Sequence, residues 1–218
     1  KKVVVIEIDE KLLPVLEETL ADYSNITVVN QDVLQVDLTA LIEREFPGMP
    51  VAVCANLPYY VTSPVLMSLL ERRLPIESIT VMVQKEAAER LCAEMGTRAC
   101  GAVTAAVQYY SQPRLLFHVS RGSFLPPPNV DSSVIRLDIR KEPPCAVPDE
   151  EFLFRLIRGG FSQRRKTLPN PLSGALGRPK AEISAALEEA GLKPTARAEE
   201  LSLPDWAALA RILRRGQG

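Results

Sequence analysis

Val51-Ala52-Val53-Cys54-Ala55-Asn56-Leu57-Pro58-Tyr59 decides how this chain is read. Five apolar residues form a strand, and its carboxyl edge then projects an amide, two backbone carbonyls and an aromatic ring. In open α/β sheets that edge is where ligands bind. An Asn side chain and a free carbonyl both accept hydrogen bonds from an exocyclic amino group, and Tyr offers a stacking face. The set suits a flat heterocycle carrying an NH2 group, such as adenine. Asn and Pro are also ordinary turn residues, so the tetrapeptide alone leaves a plain strand-to-loop turn open.

Strand signals recur on either side. Val3-Val4-Val5-Ile6 is a continuous β-branched run, expected to be a strand covered on both faces. Glu10 to Tyr23 carries Leu12, Leu13, Leu16 and Leu20 on one helical stripe. Ile26–Val29 reads as a second strand, Leu38–Phe46 as a helix, and Ser63-Pro64 as the cap and first residue of a helix reaching Leu70. Ile79–Val83 is a further strand, followed by a helix over Lys85–Leu91. Strands alternating with helices predict a Rossmann-like α/β fold with a mainly parallel sheet. Arg114–Val119 and Ser133–Ile139 have no helical pattern between them and are expected to pair antiparallel at the sheet edge.

Composition shifts at Glu142-Pro143-Pro144 and Pro148, which reads as a linker. Helical periodicity follows over Glu151–Arg158, Lys180–Ala190 and Pro204–Leu213, with Gly191 placed as a terminating glycine. The division expected is an α/β domain over 1–142 and a small helical domain over 148–218. Pro169, Pro171 and Gly174 mark a helix end, which puts Ser162-Gln163-Arg164-Arg165-Lys166-Thr167 near a surface loop.

The net charge of −1 conceals an asymmetry, because residues 150–218 hold 12 Lys/Arg against 8 Asp/Glu. A moderately basic carboxyl-terminal part suits a polyanionic partner. The four cysteines form no CxxC pair and His118 is the one histidine, so no metal is expected and a reduced, cytosolic setting is the default. Cys54 reads as a small core residue and His118 as a strand residue. No apolar run reaches the ~20 residues of a membrane span.

Three acceptors fall at successive strand ends: Glu7, Asp32 and Asn56. An acid at the end of a Rossmann-type strand is placed to hold the two hydroxyls of a nucleoside ribose. Phe124 precedes Leu125-Pro126-Pro127-Pro128, a stiff segment that can fix a second aromatic wall opposite Tyr59. Arg164, Arg165 and Lys166 read either as phosphate contacts or as an ordinary solvated face.

These motifs, taken in order, resemble the rRNA adenine N6,N6-dimethyltransferase family of the KsgA type over nearly the whole length. The matching segments include Ile6-Glu7-Ile8-Asp9, Gln31-Asp32, Asn56-Leu57-Pro58-Tyr59 and Val83-Gln84-Lys85-Glu86. Others are Gln108-Tyr109-Tyr110, Phe124 to Ser132, Phe161 to Leu168, and Arg197-Ala198-Glu199-Glu200-Leu201-Ser202. The resemblance implies S-adenosylmethionine-dependent dimethylation of N6 of two adjacent adenines in the hairpin loop near the 3′ end of small-subunit rRNA, late in ribosome assembly. It places Glu7 at the cofactor ribose and Asp32 at its adenine amino group, with Ile8, Val33 and Asn56 also binding the cofactor. Asn56 and the Leu57 carbonyl would hold the target N6, while Tyr59 and Phe124 sandwich the base. Arg164, Arg165 and Lys166 would contact rRNA, and the enzyme is expected to be a monomer without membrane or metal partners.

The family pattern also has a first strand and glycine-rich loop ahead of Lys1, central in the sheet between Val3–Ile6 and Val51–Ala55. The expectation is therefore a sheet that shows a gap there or substitute pairing, with an incomplete cofactor pocket. Pro169-Asn170-Pro171 departs from the family pattern, so a different local helix end is expected. Two other readings stay open: a large-subunit rRNA adenine methyltransferase of the antibiotic-resistance type, and a non-catalytic RNA-binding factor on the same fold.

Overall fold

Short β-branched runs become strands and the amphipathic segments between them become helices. The computed structural model describes residues 1–215. Its first half runs β1 (Val3–Glu7), α1 (Leu13–Thr19), β2 (Ile26–Asn30), α2 (Leu38–Glu45), β3 (Ala52–Asn56), α3 (Thr62–Glu71) and β4 (Ser78–Gln84). Then follow α4 (Lys85–Leu91), α5 (Ala102–Tyr110), β5 (Ser111–Val119) and β6 (Ser132–Ile139). A helical part closes the chain: α6 (Glu150–Phe161), α7 (Pro169–Leu176), α8 (Lys180–Glu189) and α9 (Leu203–Arg215).

The strands form two separate sheets. β1 and β2 pair in parallel as a ribbon, and the second sheet has the order β3-β4-β6-β5. Within it β3 and β4 are parallel, while β6 runs antiparallel to both β4 and β5, as expected of the last two strands. β1 and β3 do not pair, so the expected gap lies between them. Both sheets still face one core: Val4, Ile6 and Val29 pack against the cluster holding Leu66, Ile79, Val81 and Val83. Arg72 of the α3 end also ties this region together, donating to the Val36 and Leu34 carbonyls at 3.1 and 3.3 Å.

The divided sheet overturns two expectations. β1 is not covered on both faces, since Val3 is 43% exposed and the rest of the strand is half-buried. Cys54 is exposed and is not a core residue. A continuous apolar run predicts burial only when strands flank it on both edges and layers cover both faces. β3 has a strand neighbour on one edge alone.

Helix boundaries differ where proline or a local cap intervenes. The expected single helix over Glu10–Tyr23 begins as a 3-10 turn over Glu10–Leu12, capped by Asp9, and α1 takes over at Leu13. Pro14 has no N–H to bond back into that turn but fits the first turn of a new helix. Ser63 is not a cap: α3 starts at Thr62, whose hydroxyl donates to the Pro58 carbonyl at 3.3 Å. Pro169 and Pro171 do not end a helix but start α7, both buried in its first turn, where N–H groups lack intrahelical partners anyway. That helix ends at Gly177, in the left-handed region at φ +66°. Gly191 terminates α8 as expected: its N–H reaches the Glu188 carbonyl (2.9 Å) and Leu192 N–H reaches that of Leu187 (2.8 Å).

The sequence reading missed α5. Thr104, Ala105, Ala106, Val107 and Tyr109 are all buried, so no polar face marks its period. Ala105, Ala106 and Tyr109 belong to the same core as Leu153, Leu156, Leu172 and Trp206, which makes α5 the seam between sheet and helical part. No helix among the described residues is long and apolar enough to cross a membrane.

Candidate active site at the carboxyl edge of the strands

The parallel strands bring polar residues to one edge. At the tip of β1 the Glu7 carboxylate accepts the Asp9 N–H on Oε1 at 2.8 Å. Past the tip of β2, Asp32 accepts the Leu34 N–H on Oδ1 at 2.9 Å. The two tips are joined by Asn30, whose Nδ2 donates to the Glu7 carbonyl at 2.8 Å. Each carboxylate is thus held by one oxygen, while Glu7 Oε2 and Asp32 Oδ2 have no partner among the described residues. Two fixed acceptors of this kind fit the hydroxyls and amino group of a nucleoside. Ile8, 65% exposed, and Val33, half-buried against the core, supply apolar surface beside them.

Asn56 ends β3 in register with Met82 of β4. Its side chain is exposed and makes no hydrogen bond to the described chain. The following turn closes on the Pro58 carbonyl, which accepts the Val61 N–H at 3.1 Å, and so leaves the Leu57 carbonyl outside that turn. The Leu57 side chain packs into the core and fixes the backbone there. The Tyr59 hydroxyl and Ser132 Oγ lie 2.8 Å apart, and Ser132 is fully buried at the start of β6. The far end of the Tyr59 ring is therefore anchored to the central sheet.

Asn56, Leu57 and Tyr59 share this edge. Phe124 follows a 3-10 turn over Arg121–Ser123 and is half-buried, with its backbone extended at φ −118° and ψ 150°. The Phe124 and Tyr59 rings do not touch each other. Sequence reasoning missed Ser132 as a partner of Tyr59. The signal lay in the β4–β6 register, which sets Ser132 opposite Gln84 and is invisible along the chain.

The basic segment divides. Arg164 donates to the Arg98 and Cys100 carbonyls at 2.8 and 3.1 Å and faces Glu199 at 3.5 Å. It clamps the α6–α7 turn to the loop before α5 and is not the free surface cation that its sequence neighbours suggest. Arg165 and Lys166 are exposed and unpaired among the described residues.

A family model described as ribosomal RNA adenine dimethylase matches residues 1–215. The chain belongs to this family. Curated relatives include the ribosomal RNA small subunit methyltransferase A of Geobacillus sp. strain WCH70, 48% identical over 98% of this chain and 75% of that protein. The protein of the same name from Streptococcus pneumoniae serotype 2 strain D39 is 46% identical over 100% of this chain and 76% of its own length. Among solved structures, the 23S rRNA methyltransferase ErmE aligns with TM-score 0.70 and 27% identity, covering 98% of this chain and 82% of that one. A dimethyladenosine transferase from Plasmodium falciparum aligns with TM-score 0.79 over 99% and 83% at 24% identity, a likeness of fold.

As a ribosomal RNA adenine dimethylase, the protein transfers methyl groups from S-adenosylmethionine to adenine. Burial pushes the Cys92, Cys100 and Cys145 thiols up, away from thiolate. His118 Nδ1 lies 2.9 Å from Ser133 Oγ within the β5–β6 pair. No cluster of three His, Cys, Asp or Glu able to hold a metal occurs among the described residues.

Proposed function

We propose that this dimethylase modifies N6 of two adjacent adenines in the 3′-terminal hairpin loop of small-subunit rRNA during ribosome assembly. Asn56 Oδ1 and the Leu57 carbonyl accept from the target N6, and Tyr59 and Phe124 provide the walls of the base site. The observation that carries this reading is an unengaged Asn56 amide beside a carbonyl left outside its turn, next to a tyrosine anchored by Ser132. The N6 lone pair is delocalised into the purine, so the amine is a weak nucleophile. Two fixed acceptors favour a pyramidal nitrogen and stabilise the positive charge that develops on it, without reorganising during the reaction.

Glu7 and Ile8 are assigned to the cofactor ribose, and Asp32 and Val33 to its adenine. S-adenosylmethionine supplies a methyl group already activated on a sulfonium, so positioning accounts for much of the catalysis. Residues 148–218 form the rRNA-binding part, with Arg165 and Lys166 as phosphate contacts and Arg164 setting their turn. We place the enzyme in the cytoplasm, acting as a monomer on the assembling small subunit.

The 46–48% identity to small-subunit enzymes, against 27% to ErmE, supports the small subunit over the large. Methyl incorporation into purified, unmethylated small and large subunits tests the choice. Small subunits are expected to be labelled, with the label on adjacent adenines. Labelling of large subunits in their place would transfer the reading to the antibiotic-resistance type, and cofactor binding without transfer to either would favour an assembly factor.

A further inference from the structure

A cleft of about 360 Å³ opens at the carboxyl end of β4, lined by residues 84–86, Arg121 and residues 129–131. Its frame is built around Asp131. The Lys85 N–H donates to the Asp131 carbonyl at 3.0 Å, and the Arg121 N–H donates to Asp131 Oδ1 at 2.9 Å. The loop between β5 and β6 is thereby pinned against the end of β4, and the opening is preformed. The side chains of Gln84, Lys85, Glu86, Arg121 and Asn129 make no hydrogen bond or ion pair among the described residues. Lys85, Glu86, Arg121 and Asn129 are exposed and Gln84 is half-buried, so all five are open to a ligand.

We infer that this cleft is a second nucleobase site, which holds the adenine next to the one being methylated. The inference rests on the reading of Asn56 and Tyr59 as the target site. Lys85 and Arg121 are balanced by Glu86 and Asp131, so the cleft has no excess charge to draw a phosphate and suits a neutral ring. The Gln84 and Asn129 amides each carry a donor and an acceptor, the combination that pairs bidentately with an adenine edge. Val130, 41% exposed, adds an apolar wall. The volume lies in the range of small-ligand sites.

The cleft also lies beside the target site. Ser132, which holds the Tyr59 hydroxyl at 2.8 Å, follows Asp131 in the chain and lies opposite Gln84 in the β4–β6 register. The cleft therefore begins one residue away from the anchor of the target wall. Single-stranded RNA loops are read in this way, with bases splayed out and bonded on their edges. A neighbour held here stays attached while the first adenine reacts, and the strand needs to shift by one nucleotide for the second.

The test is a cycle on small subunits reconstituted with rRNA whose neighbouring adenine is intact or abasic. For the wild-type protein the abasic change is expected to raise KM about ten-fold, the scale of one bidentate base contact, with kcat within two-fold. Gln84→Ala combined with Asn129→Ala should raise KM similarly on intact rRNA and be indifferent to the abasic change. A variant that still loses ten-fold on abasic rRNA overturns the site. So does a variant that lowers the salt dependence of binding without this coupling, which would make the cleft a phosphate contact. Equilibrium binding of the same two particles is measured in parallel. If wild-type protein fails to methylate intact small subunits, the functional reading falls, while the binding cycle still decides the cleft.

Discussion

The role proposed for Asn56 rests on one amide, at the tip of β3 with no hydrogen-bond partner among the described residues. Asn56→Ala should lower the methyl-transfer rate by about 2.7–4 kcal/mol of barrier, the scale of a lost preorganised transition-state contact. RNA affinity should remain nearly intact, because it comes from distributed phosphate contacts. Single-turnover labelling together with a subunit-binding titration checks this, and near-wild-type turnover would remove Asn56 from the reaction. At the basic turn, Arg165→Ala with Lys166→Ala should flatten the log–log salt dependence of binding by up to about 1.8, near 0.9 per phosphate contact. Arg164→Ala should act on stability. Its guanidinium bonds two carbonyls at a half-exposed position, worth about 1 kcal/mol after screening, or about 2–4 °C in Tm for a chain of this size. A larger salt effect from Arg164 than from its two neighbours would reverse that division.

Among the elements, α6 shows how tightly the helical part is closed. A Cβ added at Gly160 would lie 2.5 Å from Trp206 Cη2 and 3.0 Å from Leu168 Cδ2, both in buried side chains. Gly160→Ala should therefore destabilise by about 1–3 kcal/mol through overpacking. Gly174 on α7 is the control, since nothing lies within 4 Å of its added Cβ. Gly174→Ala should gain about 0.4–1 kcal/mol by restricting the unfolded chain. Chemical denaturation of both variants reads the difference, and equal midpoints would show that α6 yields to the extra methyl. α7 also shows where the sequence misleads: Pro169, Pro171 and Gly174 look like a helix end, yet the prolines occupy a first turn that needs no N–H. α5 escaped because burial on all sides erases helical period.

Across the whole molecule, the divided sheet and the α5 seam set where the protein opens. The β1–β2 ribbon has half-buried residues and a single strand pair, whereas Ile79, Val83, Ile135 and Leu137 of β4 and β6 are fully buried. Two-stranded pairs are marginal alone. Amides of β1 and β2 should exchange with solvent well before those of β4 and β6, and uniform protection would mean the two sheets open together. At the seam, the Tyr109 hydroxyl donates to Glu150 at 3.1 Å, and Arg73 pairs with the same carboxylate. Burial and then the Glu150 charge push Tyr110 up to about 12, and burial raises Tyr109 as well. The unfolded chain loses these protons near pH 10 and the folded chain holds them longer. Their contribution is complete below about pH 10 and declines as pH rises toward 12. Tyr110→Phe should flatten the fall of Tm between pH 9.5 and 11.5, and an unchanged slope would remove the tyrosine from alkaline unfolding.

The alternation of strand and helix, the acceptors at Glu7, Asp32 and Asn56, and the family are all legible along the chain. Those properties are local: a β-branched run, a turn and a cap are set by residues within a few positions of each other. Tertiary structure alone decided that Cys54 is exposed, that Arg164 is a clamp and that Ser132 anchors Tyr59. It also decided that Gln84 and Asn129 meet across one cleft. Each of those depends on which strand or loop lies alongside. Pairing between residues tens of positions apart fixes that neighbour, and no period along the chain encodes it.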